Sequence, residues 1–282
     1  LAGDICKEAS DLGLPLVGLG FMYPQGYFHQ HISAEGWQEE IYQQLNFDEA
    51  PINPCPWPQG CGPLVEVRLG DIPLYIGAWQ VRLGPVRLYL LDTNVPENSP
   101  EYQQLSARLY TADREQRIQQ EIVIGIGGVR VLRALGISPS VWHANEGHAA
   151  FMMLERIREE VEAGAPFTEA LRRVRANTIF TTHTPVPAGH DVFPTALMEK
   201  YFRAYWNSLE VDQGTFLRLG QYDSQPDQTF NMTLLGLKTS ERCCGVSELH
   251  GRVTRRMWHS LWPQVREDEV PISHITNGIH VL

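Results

Sequence analysis

Apolar positions recur at two periods along this chain, and the switches between them mark its elements. Residues 4–12 carry helical spacing, and Leu14-Pro15-Leu16-Val17-Gly18-Leu19-Gly20-Phe21 follows as an apolar strand. The runs 64–69, 73–83 and 85–91 alternate apolar with polar residues, with β-branched side chains and with Gly70-Asp71 and Gly84-Pro85 between them. That pattern predicts antiparallel strands joined by tight turns. Helical spacing resumes over 113–135. From residue 140 the order is strand, helix, strand, helix, which predicts a parallel sheet with helical crossovers. Phe193, Leu197, Tyr201, Tyr205 and Trp206 make one core-facing helical stripe, and 215–262 reads as mostly helix, divided at Gly236 and Gly245.

Two segments break the pattern. Tyr27-Phe28-His29-Gln30-His31 through Trp37 is aromatic and polar and reads as a loop over a pocket. Pro51, Pro54, Pro56, Pro58 and Pro63 exclude regular structure between them. Gly125-Ile126-Gly127-Gly128 fits either of two readings. A strand before it would make a phosphate-cradling loop. Ile118, Ile122, Ile126, Val129 and Leu132 instead continue one helical face through it, with the glycines admitting close packing, and this is the stronger reading.

Chemistry collects where apolar strands end. Asn145-Glu146-Gly147-His148 closes the run that starts at Val141 and opens the helical stretch Ala149-Ala150-Phe151-Met152-Met153-Leu154. Thr178-Ile179-Phe180-Thr181-Thr182-His183-Thr184 and Ile272-Ser273-His274-Ile275-Thr276-Asn277-Gly278 repeat the grammar. In open α/β sheets ligands bind at the carboxyl ends of the strands, and sugar hydroxyls need such mixed donors and acceptors at short range. The bland alternatives are packing residues at a strand end and, for Asn277, a turn residue before Gly278. Arg117 and Glu121, spaced i, i+4, read as a surface ion pair or a cleft-facing one.

Composition removes several function classes. A net charge of −10 argues against a nucleic-acid backbone as main partner. No apolar run approaches the ~20 residues that cross a bilayer, and the N-terminus lacks the blocks of a secretion signal. Five cysteines, two of them adjacent at Cys243-Cys244, read as reduced thiols in a cytoplasmic protein. His143 with His148, and His183 with His190, do not match a zinc spacing, so no metal is expected. Lysine occurs only at Lys7, Lys200 and Lys238, none in a segment resembling a Schiff-base site. With 282 residues, 43% of them hydrophobic, one large domain or two smaller ones fit. An uncapped helical start at Leu1 and a stop at Leu282 within a new element read as a piece of a longer chain.

Several motifs in linked order resemble one family. Ala9-Ser10-Asp11-Leu12-Gly13, Gly18-Leu19-Gly20, Tyr27-Phe28-His29-Gln30, Arg117-Ile118-Gln119-Gln120-Glu121, the His143-to-Phe151 run, Thr181-Thr182-His183-Thr184 and Thr276-Asn277-Gly278-Ile279 resemble the α-glucan (glycogen, starch or maltodextrin) phosphorylases. The Pro/Cys-rich segment and the Asn-Glu-Gly-His wording resemble the bacterial and archaeal branch. The resemblance implies an α/β fold: the Rossmann-like N-terminal lobe of a GT-B glycosyltransferase over 1–282, incomplete at both ends. A largely parallel sheet with helical crossovers would carry an antiparallel β-rich insertion at about 51–95.

It also implies retaining phosphorolysis of terminal α-1,4-glucosidic bonds. The partners are α-1,4-glucan and inorganic phosphate, and the full-length enzyme is expected to be a homo-oligomer. Pyridoxal 5′-phosphate would act there through its phosphate. By resemblance, His148 is the histidine whose main-chain carbonyl faces the glucosyl unit, Asn277 bonds the glucose hydroxyls, and Asn145, Glu146 and His183 support them. The family's glycine-rich phosphate loop would precede Leu1, and its cofactor lysine and basic phosphate cluster would lie in a C-terminal lobe after Leu282. The chain alone is therefore expected neither to hold the cofactor nor to turn over. A non-catalytic glucan-binding module and a nucleotide-sugar transferase resembling glycogen synthase are the competing readings.

Overall fold

A computed structural model describes residues 2–25, 29–58, 63–108, 113–222 and 228–281. Leu1, Tyr27, Phe28, Cys61 and Leu282 lie outside the described residues. The chain divides into two compact units: Leu1–Val67, Pro73–Gly136 and Ile279–Leu282 form one, Arg68–Ile72 and Ile137–Gly278 the other.

The first unit contains α1 (Ala2–Asp11), β1 (Val17–Phe21), β2 (His29–Ile32), β3 (Gln38–Ile41), β4 (Asn53–Pro54), β5 (Val65–Leu69), β6 (Ile72–Leu83), β7 (Val86–Asp92), α2 (Pro100–Gln103), α3 (Arg114–Ile122) and α4 (Gly128–Ala134). Its main sheet has the order β1-β7-β6-β4, with β5 also on β6. The expected antiparallel strands are present, but β7 also pairs in parallel with β1. The hairpin is thus part of the same sheet as the first strand. Gly84 turns it with φ +56°, a conformation that side chains resist. Leu74, Ile76, Val67 and Leu91 are fully buried, as is Ile118 of α3.

Helical structure runs unbroken from α3 through a π-type turn, Val123–Gly127, into α4. This settles the glycine run as helix. A Cβ on Gly127 would lie 2.4 Å from Ile76 and one on Gly128 2.8 Å from Leu19, so glycine lets the helix approach the sheet. Two expectations need correction. The segment read as a loop over a pocket holds β2, which pairs with β3 just beyond Trp37 in a hairpin exposed along both strands and too polar to show a strand's apolar alternation. Within the proline-rich stretch, Asn53 and Pro54 pair with β6.

The second unit contains β8 (Trp142–Asn145), α5 (Phe151–Glu162), α6 (Phe167–Ala176), β9 (Thr178–Thr181), β10 (Val192–Pro194), α7 (Thr195–Ser208), α8 (Gln213–Arg218), β11 (Thr229–Asn231), α9 (Met232–Lys238), β12 (Arg242–Gly245), α10 (Glu248–Trp258) and β13 (Ile272–His274). Its four-stranded sheet has the order β13-β12-β9-β8 and every pair is parallel, as the alternation predicted. The reading of 215–262 as mostly helix missed β11 and β12. Arg242-Cys243-Cys244-Gly245 has no β-branched residue, yet it is an inner strand between β9 and β13.

Aromatic packing closes this unit. Phe151, Phe202, Phe216 and Phe230 are fully buried and in mutual ring contact. Phe193, Tyr201 and Trp206 of the expected stripe are buried, while Leu197 and Tyr205 are half-buried; Phe202 lies at the cluster's centre. Gly236 accommodates the Phe180 ring, which an added Cβ would meet at 2.4 Å. The buried Arg156 guanidinium bonds Thr178 Oγ1 at 2.6 Å, the Val174 carbonyl at 3.4 Å and Asn177, and covers the Trp142 ring at 4.7 Å. The same residue therefore joins α5, the α6–β9 junction and β8. Cys6, Cys55, Cys243 and Cys244 are free thiols, and burial pushes Cys243 up to about 12. No helix among the described residues is long and apolar enough to cross a membrane.

A polar strand edge as the candidate functional site

Parallel pairing sends the carboxyl ends of all four strands to one edge of the second unit's sheet. Asn145, Thr181 to Thr184, Gly245 to Ser247 and Ile275 to Asn277 gather there. Just inside the edge, Thr181 Oγ1 bonds His143 Nε2 at 2.7 Å and lies 3.1 Å from Cys244 Sγ, linking three adjacent strands.

Glu146 organises the edge. It follows β8 directly with φ 82° and ψ 167°, in a region that side chains avoid. Such backbone costs on the order of 1–3 kcal/mol and persists only where the surroundings impose it. Here its carboxylate is the compensation. Oε2 accepts from His183 N–H at 2.6 Å and Thr184 Oγ1 at 3.2 Å; Oε1 accepts from Thr182 Oγ1 at 3.2 Å and Gly147 N–H at 3.3 Å. Its own N–H donates to the Thr181 carbonyl at 2.8 Å. One side chain thus splices the end of β8 to the loop after β9. Gly147 then turns against the start of α9, where a Cβ would lie 3.2 Å from Met232 and 3.3 Å from Thr233 N.

His183 is half-buried, and its Nε2 lies 2.5 Å from Asn145 Oδ1. An amide oxygen only accepts, so the proton sits on Nε2 and Nδ1 is left as an acceptor. The Asn145 and Asn277 side chains have further hydrogen-bonding capacity; Asn277 is half-buried, and its backbone N–H is spent on the Val246 carbonyl at 3.0 Å. His148 is half-buried in the single 3-10 turn Gly147–Ala149 that leads into α5. The structure therefore joins Asn145, Glu146 and His183 directly and puts Asn277 on the same edge, beyond β13. His148 stands on the adjoining turn. Thr182 and Thr184, which clamp Glu146, appear in the sequence reading only as part of the Thr-Thr-His-Thr run, without a role of their own; their spacing around His183 was the available signal.

His190 is buried, with Nδ1 2.8 Å from Thr233 Oγ1, Nε2 3.4 Å from Met257 Sδ and an edge-on contact to Trp258. Burial lowers both His183 and His190 below the ordinary 6.5, and the nearby Glu146 charge opposes that shift in each. The folded state thus favours neutral imidazoles. Their contribution to stability is complete above pH 6.5 and lost as pH falls through the depressed folded values. Thermal unfolding is expected to shift downward between about pH 7 and pH 5, and less steeply for His190→Gln. An identical slope in that variant would remove His190 as a source.

In the first unit, Arg117 Nε and the buried Glu121 lie 3.0 Å apart, so this pair is not the exposed one of small value. Glu8, Asp11 and His280 bring possible metal-ligand atoms within 4.8 Å of one another, and the His280–Asp11 contact of 2.8 Å accounts for that grouping.

Known relatives cover essentially the whole chain. It is 49% identical over 280 residues to the maltodextrin phosphorylase of Thermococcus litoralis, spanning 99% of this chain and 33% of that protein. The glycogen phosphorylase of Mycobacterium tuberculosis is 45% identical over 295 residues, 99% of this chain and 34% of that protein. That of Aquifex aeolicus is 39% identical over 280 residues, 99% and 40% respectively. No family model matches. The chain spans about a third of the length of the relatives first named. At 39–49% identity over 99% of its length, the chain is similar to a stretch of proteins named maltodextrin phosphorylase or glycogen phosphorylase.

Proposed function

We propose that this chain is the N-terminal lobe of a GT-B α-glucan phosphorylase and supplies the glucosyl-binding side of its cleft. The observation that carries the reading is the convergence of Asn145, His183 and Asn277 on one strand edge, with donors and acceptors to spare. In the full-length enzyme, inorganic phosphate would cleave the terminal α-1,4 bond of a glucan. The bond from C1 to the 4-oxygen of the next glucose breaks, a bond from C1 to phosphate oxygen forms, and the phosphate proton passes to the departing oxygen. Glucose 1-phosphate and a glucan one unit shorter result, with retention at C1.

Asn277 and Asn145 bind the hydroxyls, and the His183 Nδ1 lone pair accepts from one. Positive charge developing at C1 calls for a fixed dipole with its negative end toward it. The resemblance gives that carbonyl to His148. In a helical turn, however, carbonyls point along the axis toward the C-terminal end, which here is into α5. The carbonyl of His183 stands in non-repetitive backbone just past β9, with its N–H held by Glu146. We assign the dipole to His183 and leave His148 a side-chain role beside it.

On this reading the lysine that anchors pyridoxal phosphate is not one of the three in this chain. Lys238 is tied to the Arg218 and Gln221 carbonyls, Lys200 sits on the exposed face of α7 over Tyr201, and Lys7 is exposed on α1. None lies at the strand edge. The anchor and the phosphate-binding cations belong, on this reading, to the part of the full-length enzyme that the present sequence does not match, and the complete enzyme is a homo-oligomer.

The test uses the chain with its natural continuations, incubated with maltoheptaose, inorganic phosphate and pyridoxal phosphate. Glucose 1-phosphate is the expected product. A folded, cofactor-loaded protein that binds maltoheptaose but releases none would leave glucan binding as its function.

A further inference from the structure

The turn from β12 into α10 is built around a histidine that the glucosyl site does not use. Ser247 caps α10, its Oγ accepting the His250 N–H at 3.1 Å. His250 is 8% exposed and its imidazole fits because residue 245 is glycine: a Cβ on Gly245 would lie 2.8 Å from its Nδ1. Nδ1 accepts the N–H of Val246 at 3.1 Å, the first residue past β12. The carbonyl of the same Val246 accepts the N–H of Asn277 at 3.0 Å, and the Gly245 carbonyl accepts that of Ile275 at 3.0 Å. Val246 therefore has the imidazole bonded to its N–H and Asn277 to its carbonyl.

Packing alone does not account for this residue. With Nδ1 accepting, Nε2 carries the proton, and that atom is buried with no hydrogen-bond partner among the described residues. A buried donor left unmet costs free energy that an apolar side chain of similar size would not. What the imidazole supplies is an acceptor at one fixed point, for an amide that has left the strand ladder.

We propose that His250 is a positioning residue for the glucosyl site: its Nδ1 fixes Val246, and through Val246 the backbone from which Asn277 reaches the sugar. The inference rests on the reading of Asn277 as a glucose contact. It adds the residue that holds that contact in place.

The test is made on the full-length holoenzyme with maltoheptaose and phosphate. His250→Asn puts an amide oxygen close to where Nδ1 stands, whereas His250→Gln carries its acceptor one bond further out. The asparagine variant is expected to keep kcat/KM within about threefold, and the glutamine variant to lose about tenfold with its thermal unfolding little changed. In an Asn277→Ala background the same His250→Gln change is expected to cost less than about twofold, since the two residues act as one unit. Equal losses in both His250 variants, or full additivity with Asn277→Ala, would overturn the positioning role. If Asn277→Ala is impaired but His250→Gln is not, this inference fails alone; a silent Asn277→Ala removes the site reading and this inference together. Hydrogen exchange of the Val246 and Asn277 amides in the unaltered enzyme needs no variant to fold. Both should be protected, and fast exchange at either overturns the proposal.

Discussion

Replacing Glu146 with alanine is expected to cost the full-length enzyme about 100-fold or more in kcat/KM, the scale of a misplaced reacting geometry. Stability should fall by about 3 kcal/mol as well. The reason is the number of groups that depend on one carboxylate: the His183 and Gly147 amides and the hydroxyls of Thr182 and Thr184. Thr182 is 1% exposed, so water cannot replace the lost acceptor without opening the edge. Alanine would also keep the unfavourable backbone while losing its compensation. Glycine at the same position separates the two effects. It relieves the backbone cost, so Glu146→Gly should be more stable than Glu146→Ala while remaining as inactive. Urea unfolding and steady-state phosphorolysis measure both quantities; a Glu146→Ala enzyme within threefold of wild type would end the idea that this carboxylate orders the site.

Asn277→Ala is expected to show the opposite balance. Its backbone N–H holds the segment to Val246, and the side chain carries none of that. Truncation should leave stability within about 0.5 kcal/mol and lower kcat/KM by about 100-fold, the scale of losing a preorganised hydrogen bond in a water-poor site. Asn277→Asp, which keeps an acceptor and loses the donor, shows which half of the amide the sugar uses. Loss of stability equal to the loss of activity would instead make Asn277 a turn residue.

The strand-edge site was legible because its signal is local. Apolar residues ending in Asn145-Glu146 or Thr182-His183 reveal a strand's carboxyl end without any knowledge of its neighbours, and the parallel order followed from the alternating helices. Three things were not local. Arg242-Cys243-Cys244-Gly245 becomes a strand because β9 and β13 flank it, not through its own propensity. The positive φ of Glu146 cannot be read from a residue type that normally avoids it. The importance of His250 depends on an amide that only the folded turn brings to it. The hairpin β2–β3 was missed for a different reason: exposed on both faces, it has no buried side to impose alternation.

The strand order also bears on when the edge can form during synthesis. β8 and β9 come within reach once about forty residues separate their contacts, as between Asn145 and His183 at 38. β12 must then cross 63 residues to meet Thr181, and among the described strands β13 pairs with β12 alone, its Ser273 reaching back 30 residues to Cys243. Contacts of such separation are closed late and at entropic cost. A nascent chain leaving the ribosome can therefore complete the Glu146 clamp while the Asn277 wall is still unmade. Until β12 arrives, β9 presents an unpaired edge of apolar sequence, and that interval is when this unit is most exposed to misassociation.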